Sequence, residues 1–229
     1  MSQGVLNLQM MGRFGNMALQ YCAARAIAER DNLELRTPRW VGEKIFAGVP
    51  VTAEPDYSGD FMRGYHQNQD AAIYTLTQVR EWFRFQPWIV ELIHDLCGHK
   101  TIVAHLRRGD MAGYGYPLVS LASYYTVCIK NSLNADAMCF VSEEIPTVAA
   151  FFADEVSWLP DFYTMANAKT LLRANSTFSF VAGMINPNRV FSPVITGLEG
   201  GKEHLCEFRD DNSAKLCNLD GFTDLHIKP

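Results

Sequence analysis

The sequence predicts an α/β fold made of two small Rossmann-like lobes that face each other across a cleft. Segments with strand and helix patterns alternate along the chain, and the alternation is interrupted once, near Gly98. We therefore place an N-terminal lobe at residues 1–98 and a C-terminal lobe at residues 99–229. Parallel sheets bind ligands beyond the carboxyl ends of their strands, so the cleft is the predicted binding site.

The first lobe opens with an apolar segment at residues 5–11, which predicts a buried strand. A turn of sequence Gly12-Arg13-Phe14-Gly15-Asn16 follows. The next predicted elements, in order, are a helix over 17–30, a strand over 33–36, and helices over 72–83 and 87–96. Gly98 is the expected stop of the last helix.

The second lobe begins with a strongly apolar segment, residues 101–106, which predicts a central strand. Further strands are predicted over 137–141, 156–159 and 170–174, and helices over 120–133, 146–152 and 176–185. Ser120 or Ser123 is the expected N-cap of the first of these helices. The C-terminal segment is polar, and no element is predicted there.

The composition is that of a globular protein. Of the 229 residues, 48% are hydrophobic and 20% are charged, and the net charge is −5, which excludes a disordered chain and gives no sign of a nucleic-acid partner. No segment reads as a signal peptide or a membrane span, so we expect a cytoplasmic protein with at most peripheral membrane contact. The six cysteines are widely spaced and are expected to be reduced, with Cys206 and Cys217 the one pair to examine for a bridge.

The strongest local signal is His105-Leu106-Arg107-Arg108-Gly109-Asp110, at the end of the strand predicted over 101–106. Two adjacent guanidinium groups match the oxygens of a diphosphate in two-point geometry, and Gly109 allows a sharp turn beside the ligand. Asp110 is expected to hold one arginine in place. The alternative is a surface turn closed by an Arg–Asp ion pair.

Two other segments join a strand to a helix. The turn at residues 12–16 brings backbone amides to a polar or negative ligand, although it matches neither dinucleotide nor phosphate-loop glycine patterns, and simple turn chemistry is the alternative. The sequence Ala174-Asn175-Ser176-Thr177-Phe178-Ser179 offers hydroxyls and free helix amides to an anion. Its alternative is an ordinary N-cap by Asn175 or Ser176.

These three motifs, in this order, resemble the α-1,2-fucosyltransferase family and, more distantly, the α-1,6- and protein O-fucosyltransferases. The similarity runs from residue 5 to about residue 195. It includes four further segments: Gln20-Tyr21, Gly64-Tyr65-His66-Gln67, Val79-Arg80-Glu81-Trp82-Phe83 and Asp161-Phe162-Tyr163-Thr164-Met165.

The resemblance implies a compact GT-B fold, a GDP-fucose donor, a glycan hydroxyl as acceptor and inversion at the anomeric carbon. Arg107, Arg108 and Asp110 are the implied catalytic residues, and the two arginines bind the diphosphate. The implied donor-binding set also contains His105 and Asp161 at the guanine and ribose, Asn175, Ser176, Thr177 and Ser179 at the phosphates, and Arg13, Gly15 and Asn16 facing the sugar. Asp110 and Glu144 are the two candidates for a general base.

Metal-dependent sugar transferases hold a cation on the diphosphate with an Asp-x-Asp motif, which this sequence lacks. No His, Cys or carboxylate set has metal-ligand spacing either. We therefore expect no metal ion and no cofactor, with the GDP-sugar as a substrate and with arginines and a helix terminus in place of the cation.

The sequence departs from the family pattern at Met17, Met111 and Phe180-Val181, and the region between residues 36 and 64 is short. Diphosphate binding is therefore better supported than fucose or any particular acceptor. Another GDP-sugar such as rhamnose or mannose, a catalytically inactive glycan-binding protein, and a nicotinamide-dependent oxidoreductase are the alternatives. The sequence predicts no oligomeric state.

Overall fold

The structure, a computed structural model, describes residues 4–65, 74–97, 101–111, 113–142, 157–195 and 197–211. Backbone contacts divide the chain into two compact units, the first of which is described up to Val90 while the second begins at Glu91. Gly98, where the sequence predicts the lobe boundary, lies outside the described residues. Strands and helices alternate in both units, which confirms the α/β class.

The first unit begins with a strand–helix–strand arrangement: β1 (Val5–Asn7), α1 (Phe14–Asp31) and β2 (Glu34–Arg36), with the two strands parallel. The strand predicted over 5–11 is shorter than expected, because only Leu8 continues the pairing, through a bridge to Met62. The helix starts before residue 17, since Arg13 has an extended backbone and occupies the N-cap position.

An aromatic core holds the first unit together. Its buried members Phe14, Tyr21, Trp40, Phe46 and Phe83 contact one another, with ring centroids 4.8 Å apart for the closest pair. The described helices that follow are α2 (Gly42–Ile45), α3 (Leu76–Trp82) and α4 (Pro87–Cys97), and the division between the units falls within α4. Within the predicted segment 72–83, α3 starts at Leu76 because Thr75 and Gln78 form a reciprocal capping box.

The described part of the second unit contains seven strands: β3 (Ile102–Leu106), β4 (Leu118–Val119), β5 (Met138–Ser142), β6 (Thr170–Leu172), β7 (Arg189–Pro193), β8 (Glu203–His204) and β9 (Phe208–Asp210). Five of them form one sheet in the order β5-β3-β6-β7-β9. The first four strands of this sheet are parallel, and β9 pairs antiparallel with β7. A separate parallel pair joins β4 to β8. The predicted strands 101–106, 137–141 and 170–174 correspond to β3, β5 and β6.

Three helices accompany this sheet: α5 (Leu121–Lys130), α6 (Leu159–Asn167) and α7 (Thr177–Ile185). The prediction of a strand over 156–159 is wrong for its described part, because Trp158 lies in a turn and Leu159 begins α6. Pro160 suits a first helical turn, where its missing N–H has no partner to lose, and the helix buries Phe162 and Met165. The helix predicted over 146–152 lies outside the described residues.

Four cysteines with described side chains, Cys22, Cys128, Cys139 and Cys206, are free thiols, whereas Cys217 lies outside the described residues. Within the described ranges, no helix combines the length and the apolar character that crossing a membrane requires.

A candidate anion-binding site at the strand ends of the second unit

The sheet brings two of the predicted motifs together at its carboxyl edge. Strands β3 and β6 are parallel neighbours, with Ala104 opposite Leu172. His105 and Arg173 follow these residues, so the Arg107-Arg108 turn and the Asn175-Ser176 turn leave the sheet side by side. We call this region, formed by His105, Arg107, Arg173, Asn175 and Ser176, the strand-end site.

His105 is buried, with 4% of its surface exposed, and its ring contacts Phe178 of α7 at a centroid distance of 5.9 Å. Its backbone carbonyl accepts a 2.6 Å hydrogen bond from the buried Tyr124 hydroxyl, which fixes the end of β3. Burial, and then the positive charges of Arg107 and Arg173, lower the pKa of His105 to about 3. The imidazole is therefore neutral at physiological pH. Among the described residues, its Nδ1 atom has no hydrogen-bond partner.

The two adjacent arginines have different surroundings. Arg108 donates from one nitrogen to the carbonyl of Val119 at 2.8 Å and pairs with Glu203 at 3.3 Å from another, so it ties the turn to the β4–β8 pair. Arg107 is half-buried and lies close enough to His105 to lower the pKa of its ring. Arg108 therefore has two protein partners that hold the turn. Asp110 lies in a short 3-10 turn whose backbone is described, but its side chain lies outside the described part.

The second turn of the site caps α7. Ser176 is the N-cap, with its side-chain oxygen accepting from the amide of Phe178 at 3.2 Å, so the ordinary N-cap predicted as an alternative is present. Asn175 is 4% exposed and donates to the Pro117 carbonyl at 3.4 Å. Its Oδ1 atom, like Nδ1 of His105, has no hydrogen-bond partner among the described residues.

Thr177 and Ser179 differ in what they can offer to a ligand. Thr177 is the first residue of α7 and is half-buried. Ser179 is fully buried, and its hydroxyl donates to the backbone carbonyls of Ala174 and Ser176, both at 3.3 Å. The contribution of Ser179 that the structure describes is therefore to stabilise the turn.

Arg173 is the residue of this site that sequence reasoning missed. It follows β6 directly and is only 2% exposed, and its Nε donates to the Ser192 hydroxyl at 2.6 Å. Its guanidinium lies 4.7 Å from the ring centre of Phe180. A charged residue within the apolar segment 170–174 is the signal in the sequence from which it could have been found.

Asp161 lies in the first turn of α6, where it is half-buried. The same helix start places Trp158 and Phe162 against Phe178, with centroid distances of 5.6 and 5.2 Å. Because Phe178 also contacts His105, this aromatic cluster connects the start of α6 to the strand-end site. Glu144, the other predicted base candidate, lies outside the described residues.

The glycine turn with Arg13, Gly15 and Asn16 belongs to the first unit. Gly12 has a φ of 80°, and a side chain there would meet Asn16, whose amide nitrogen would lie 2.5 Å from an added Cβ. Arg13 is exposed at the N-cap of α1, Gly15 is buried in its first turn, and Asn16 is half-buried.

Gln20 stabilises the approach to this glycine turn. Its fully buried amide accepts from the N–H of Met11 and donates to the C=O of Met11, both at 2.9 Å. Sequence reasoning gave Gln20 no structural role, although it quoted the residue within the family resemblance.

The strand-end site has the chemistry of an anion-binding site. The guanidinium group of Arg107, the start of α7 and the buried Nδ1 of His105, which has no hydrogen-bond partner among the described residues, lie at the same edge of the sheet. Helix amides and guanidinium groups both favour phosphate oxygens. Within the described ranges, no three His, Cys, Asp or Glu side chains gather as they would around a metal ion.

No family model matches the chain, and no curated protein matches it. Solved structures of the α-1,6-fucosyltransferase NodZ are similar to the chain. One co-crystallised with GDP is 16% identical, covers 91% of this chain and 99% of its own, and has a TM-score of 0.49. One soaked with GDP-fucose is 15% identical, also covers 91% of this chain and 99% of its own, and has a TM-score of 0.46. NodZ from Bradyrhizobium is 15% identical and covers 83% of this chain and 96% of its own, with a TM-score of 0.47. Similarity at this level assigns no activity to the chain.

Proposed function

We propose that this protein is a glycosyltransferase that moves a sugar from a GDP-linked donor to a glycan hydroxyl, with fucose as the sugar and inversion at the anomeric carbon. The proposal extends to α-1,2-fucosyltransferase-like activity without a metal ion. NodZ has been co-crystallised with GDP and soaked with GDP-fucose, but the proposal rests on the strand-end site of this chain and on the motifs that form it.

The observation that carries the proposal is the adjacency of the two motifs on β3 and β6. Arg107 follows one strand and Ser176 caps the helix after the other, so a guanidinium group and a helix N-terminus leave the sheet at neighbouring points. A diphosphate carries enough negative charge to use both. A buried polar atom without a partner costs about 1–3 kcal/mol. Among the described residues Nδ1 of His105 has no partner, and when it carries the proton it can donate to a phosphate oxygen. Oδ1 of Asn175 only accepts, so it would need a hydroxyl or N–H of the ligand.

In the proposed reaction, the bond between the anomeric carbon and the β-phosphate oxygen breaks as the acceptor oxygen bonds to that carbon from the opposite face. GDP leaves with the electron pair, and Arg107 and the start of α7 stabilise the charge that develops on its phosphate. The acceptor proton passes to a base, for which Asp110 and Glu144 are the candidates. Arg108 contributes by holding the turn, through its bonds to Val119 and Glu203.

Thermal unfolding in the presence of single ligands tests the donor. A ligand that binds only the folded protein raises the melting temperature. At a concentration 100 times its Kd, it adds about 2.7 kcal/mol to the free energy of unfolding. We expect a rise with GDP and GDP-fucose, and none with UDP or NAD. A rise with NAD alone would overturn the proposal in favour of an oxidoreductase.

Transfer is then measured as GDP released from GDP-fucose in the presence of glycan acceptors, with GDP-mannose and GDP-rhamnose in parallel. Release that is faster with GDP-mannose or GDP-rhamnose assigns a different sugar to the same site. Glycan binding with no release from any donor would identify a catalytically inactive glycan-binding protein instead.

A further inference from the structure

A row of polar side chains crosses the sheet and includes two members of the strand-end site. Ala104, Leu172 and Phe191 are in register on β3, β6 and β7, and the residues that follow them are His105, Arg173 and Ser192. Side chains at the same level of parallel strands lie on the same face of a sheet. The bond from Arg173 to Ser192 and the electrostatic influence of Arg173 on His105 agree with this placement.

Arg173 is fixed from three sides. Its backbone amide donates to the Phe191 carbonyl at 2.9 Å, and its Nε donates to the Ser192 hydroxyl. These two hydrogen bonds join the end of β6 to β7. Its guanidinium stacks on Phe180 of α7, and a Cβ added to Gly183 of the same helix would lie only 3.1 Å from the Arg173 side chain. The glycine therefore leaves room for the arginine to pass beneath α7.

The row continues to a buried carboxylate. Ser192 donates in turn to Asp211, which is 4% exposed and has Arg209 at 3.7 Å. Burial raises the pKa of Asp211, while Ser192 and the charges of Arg173 and Arg209 act in the opposite direction. A charged residue in this interior is costly, and apolar residues of similar volume often replace buried ions without loss of stability. Packing alone therefore does not explain why an arginine occupies this position.

We infer that Arg173 is a positioning residue for the strand-end site: it holds the end of β6 against β7 and α7, and so fixes the turn at Asn175 and Ser176 and the electrostatic environment of His105. Its Nε bonds to Ser192 and its guanidinium lies over Phe180, so these contacts hold the scaffold of the site. The positioning role follows from the contacts of this chain, and only the ligand, GDP, rests on the proposed function.

Three variants test the inference. Arg173→Met keeps the length of the side chain and removes its charge, while Ser192→Ala keeps the charge and removes the 2.6 Å hydrogen bond. Arg189→Met is the matched control, because Arg189 also stacks on a phenylalanine, Phe191 at 4.4 Å, but at the opposite end of β7. The measurements are the NMR titration of the His105 ring, the amide shifts of Asn175 and Ser176, and the Kd for GDP by calorimetry.

Arg173→Met should raise the pKa of His105, because a positive charge is lost, shift both amides and weaken GDP binding about tenfold or more. Ser192→Ala should change the chemical shifts of the same amides by less. Arg189→Met should leave the His105 titration, the amide shifts and the Kd for GDP unchanged. Unchanged amides and an unchanged His105 titration in Arg173→Met would overturn the inference, even if its melting temperature fell, since a purely structural arginine affects stability alone.

If Arg173→Met does not fold, unchanged amides in Ser192→Ala overturn the inference in the same way. If the wild-type protein does not bind GDP, the proposed function fails, but the titration and the amide shifts need no ligand and still decide the role of Arg173.

Discussion

The turns from β1 to α1 and from β6 to α7 have the same plan, a short parallel strand that leads into a helix, but they satisfy their polar groups differently. In the first turn, Gln20 bonds to both backbone groups of Met11, and the Asn16 side chain packs over Gly12. In the second turn, Ser176 caps the helix, yet Asn175 keeps a buried oxygen without a hydrogen-bond partner among the described residues.

This difference teaches that a strand–turn–helix pattern does not by itself mark a ligand site. In the first turn, the Gln20 side chain satisfies both backbone groups of Met11. The second lies beside His105, Arg107 and the buried Arg173, and its remaining polar atoms favour an external partner. Each of the following predictions tests whether the two turns differ in function as they do in structure.

The largest expected effect follows from Arg107→Ala. Loss of one well-placed donor to a developing negative charge costs about 10²–10³ in turnover in comparable sites. Arg107→Lys should fail as well, because a point charge does not reproduce the two-point guanidinium geometry. The measurement is GDP release from GDP-fucose with acceptor present.

The control for Arg107 is Arg39→Ala in the first unit, where Arg39 is exposed and pairs with Glu43 at 2.9 Å. Its activity should equal that of the wild type. Near-normal turnover in Arg107→Ala would show that the strand-end site takes no part in the reaction.

His105 should make the protein sensitive to acid. Its pKa is about 3 in the folded state and about 6.5 when unfolded, so between these values the unfolded chain holds a proton that the folded chain does not. Stability should therefore fall as the pH drops from 6.5 towards 3, with a slope of up to about 1.4 kcal/mol per pH unit.

Urea unfolding at several pH values checks this expectation, with His105→Phe as the comparison. The variant should lose less stability than the wild type over the same pH interval. Parallel curves for the two proteins would show that the histidine is not held neutral by its surroundings.

Gln20→Leu should destabilise the first turn by about 2 kcal/mol, because two hydrogen bonds to Met11 are lost together. Gln20→Glu keeps the acceptor for the Met11 N–H and loses the donor to the Met11 C=O. Above the pKa of the new carboxyl, this variant should be more stable than Gln20→Leu only if burying the charge costs less than the remaining hydrogen bond contributes. Denaturant midpoints measure both effects. GDP affinity should stay at the wild-type value, and a weaker affinity in Gln20→Leu would mean that the first turn also serves the ligand.

The smallest effect separates two helix caps. Ser176→Ala and Thr75→Ala each remove an N-cap hydrogen bond, and each should cost about 1 kcal/mol of stability. Only Ser176→Ala should also weaken GDP binding, because only α7 begins at the strand-end site. Calorimetry with GDP compares the two, and equal affinities would mean that the start of α7 takes no part in binding.

Much of the local structure could be predicted from the sequence. The hydrophobic pattern located α1, β3, β6 and α7. The motifs at residues 12–16 and 174–179 lie between a strand and a helix, and the motif at residues 105–110 lies at the end of β3, as expected. The pattern failed at residues 157–159, where the Ser-Trp-Leu sequence reads as the end of an apolar strand but Leu159 begins α6. Strands β4, β7, β8 and β9 were not predicted, because each is only two to five residues long and shows too little alternation.

The sequence by itself determined which residue types are available at each turn, since arginines, hydroxyls and glycines have a fixed chemistry wherever they lie. Only the tertiary structure decided their neighbours. Pairing of β3 with β6 placed His105 beside Arg173. In the sequence Arg173 interrupts an apolar strand pattern, whereas in the structure it is a buried charge that contacts Ser192 and Phe180. Strand order is set by packing between distant segments, and no local propensity encodes it.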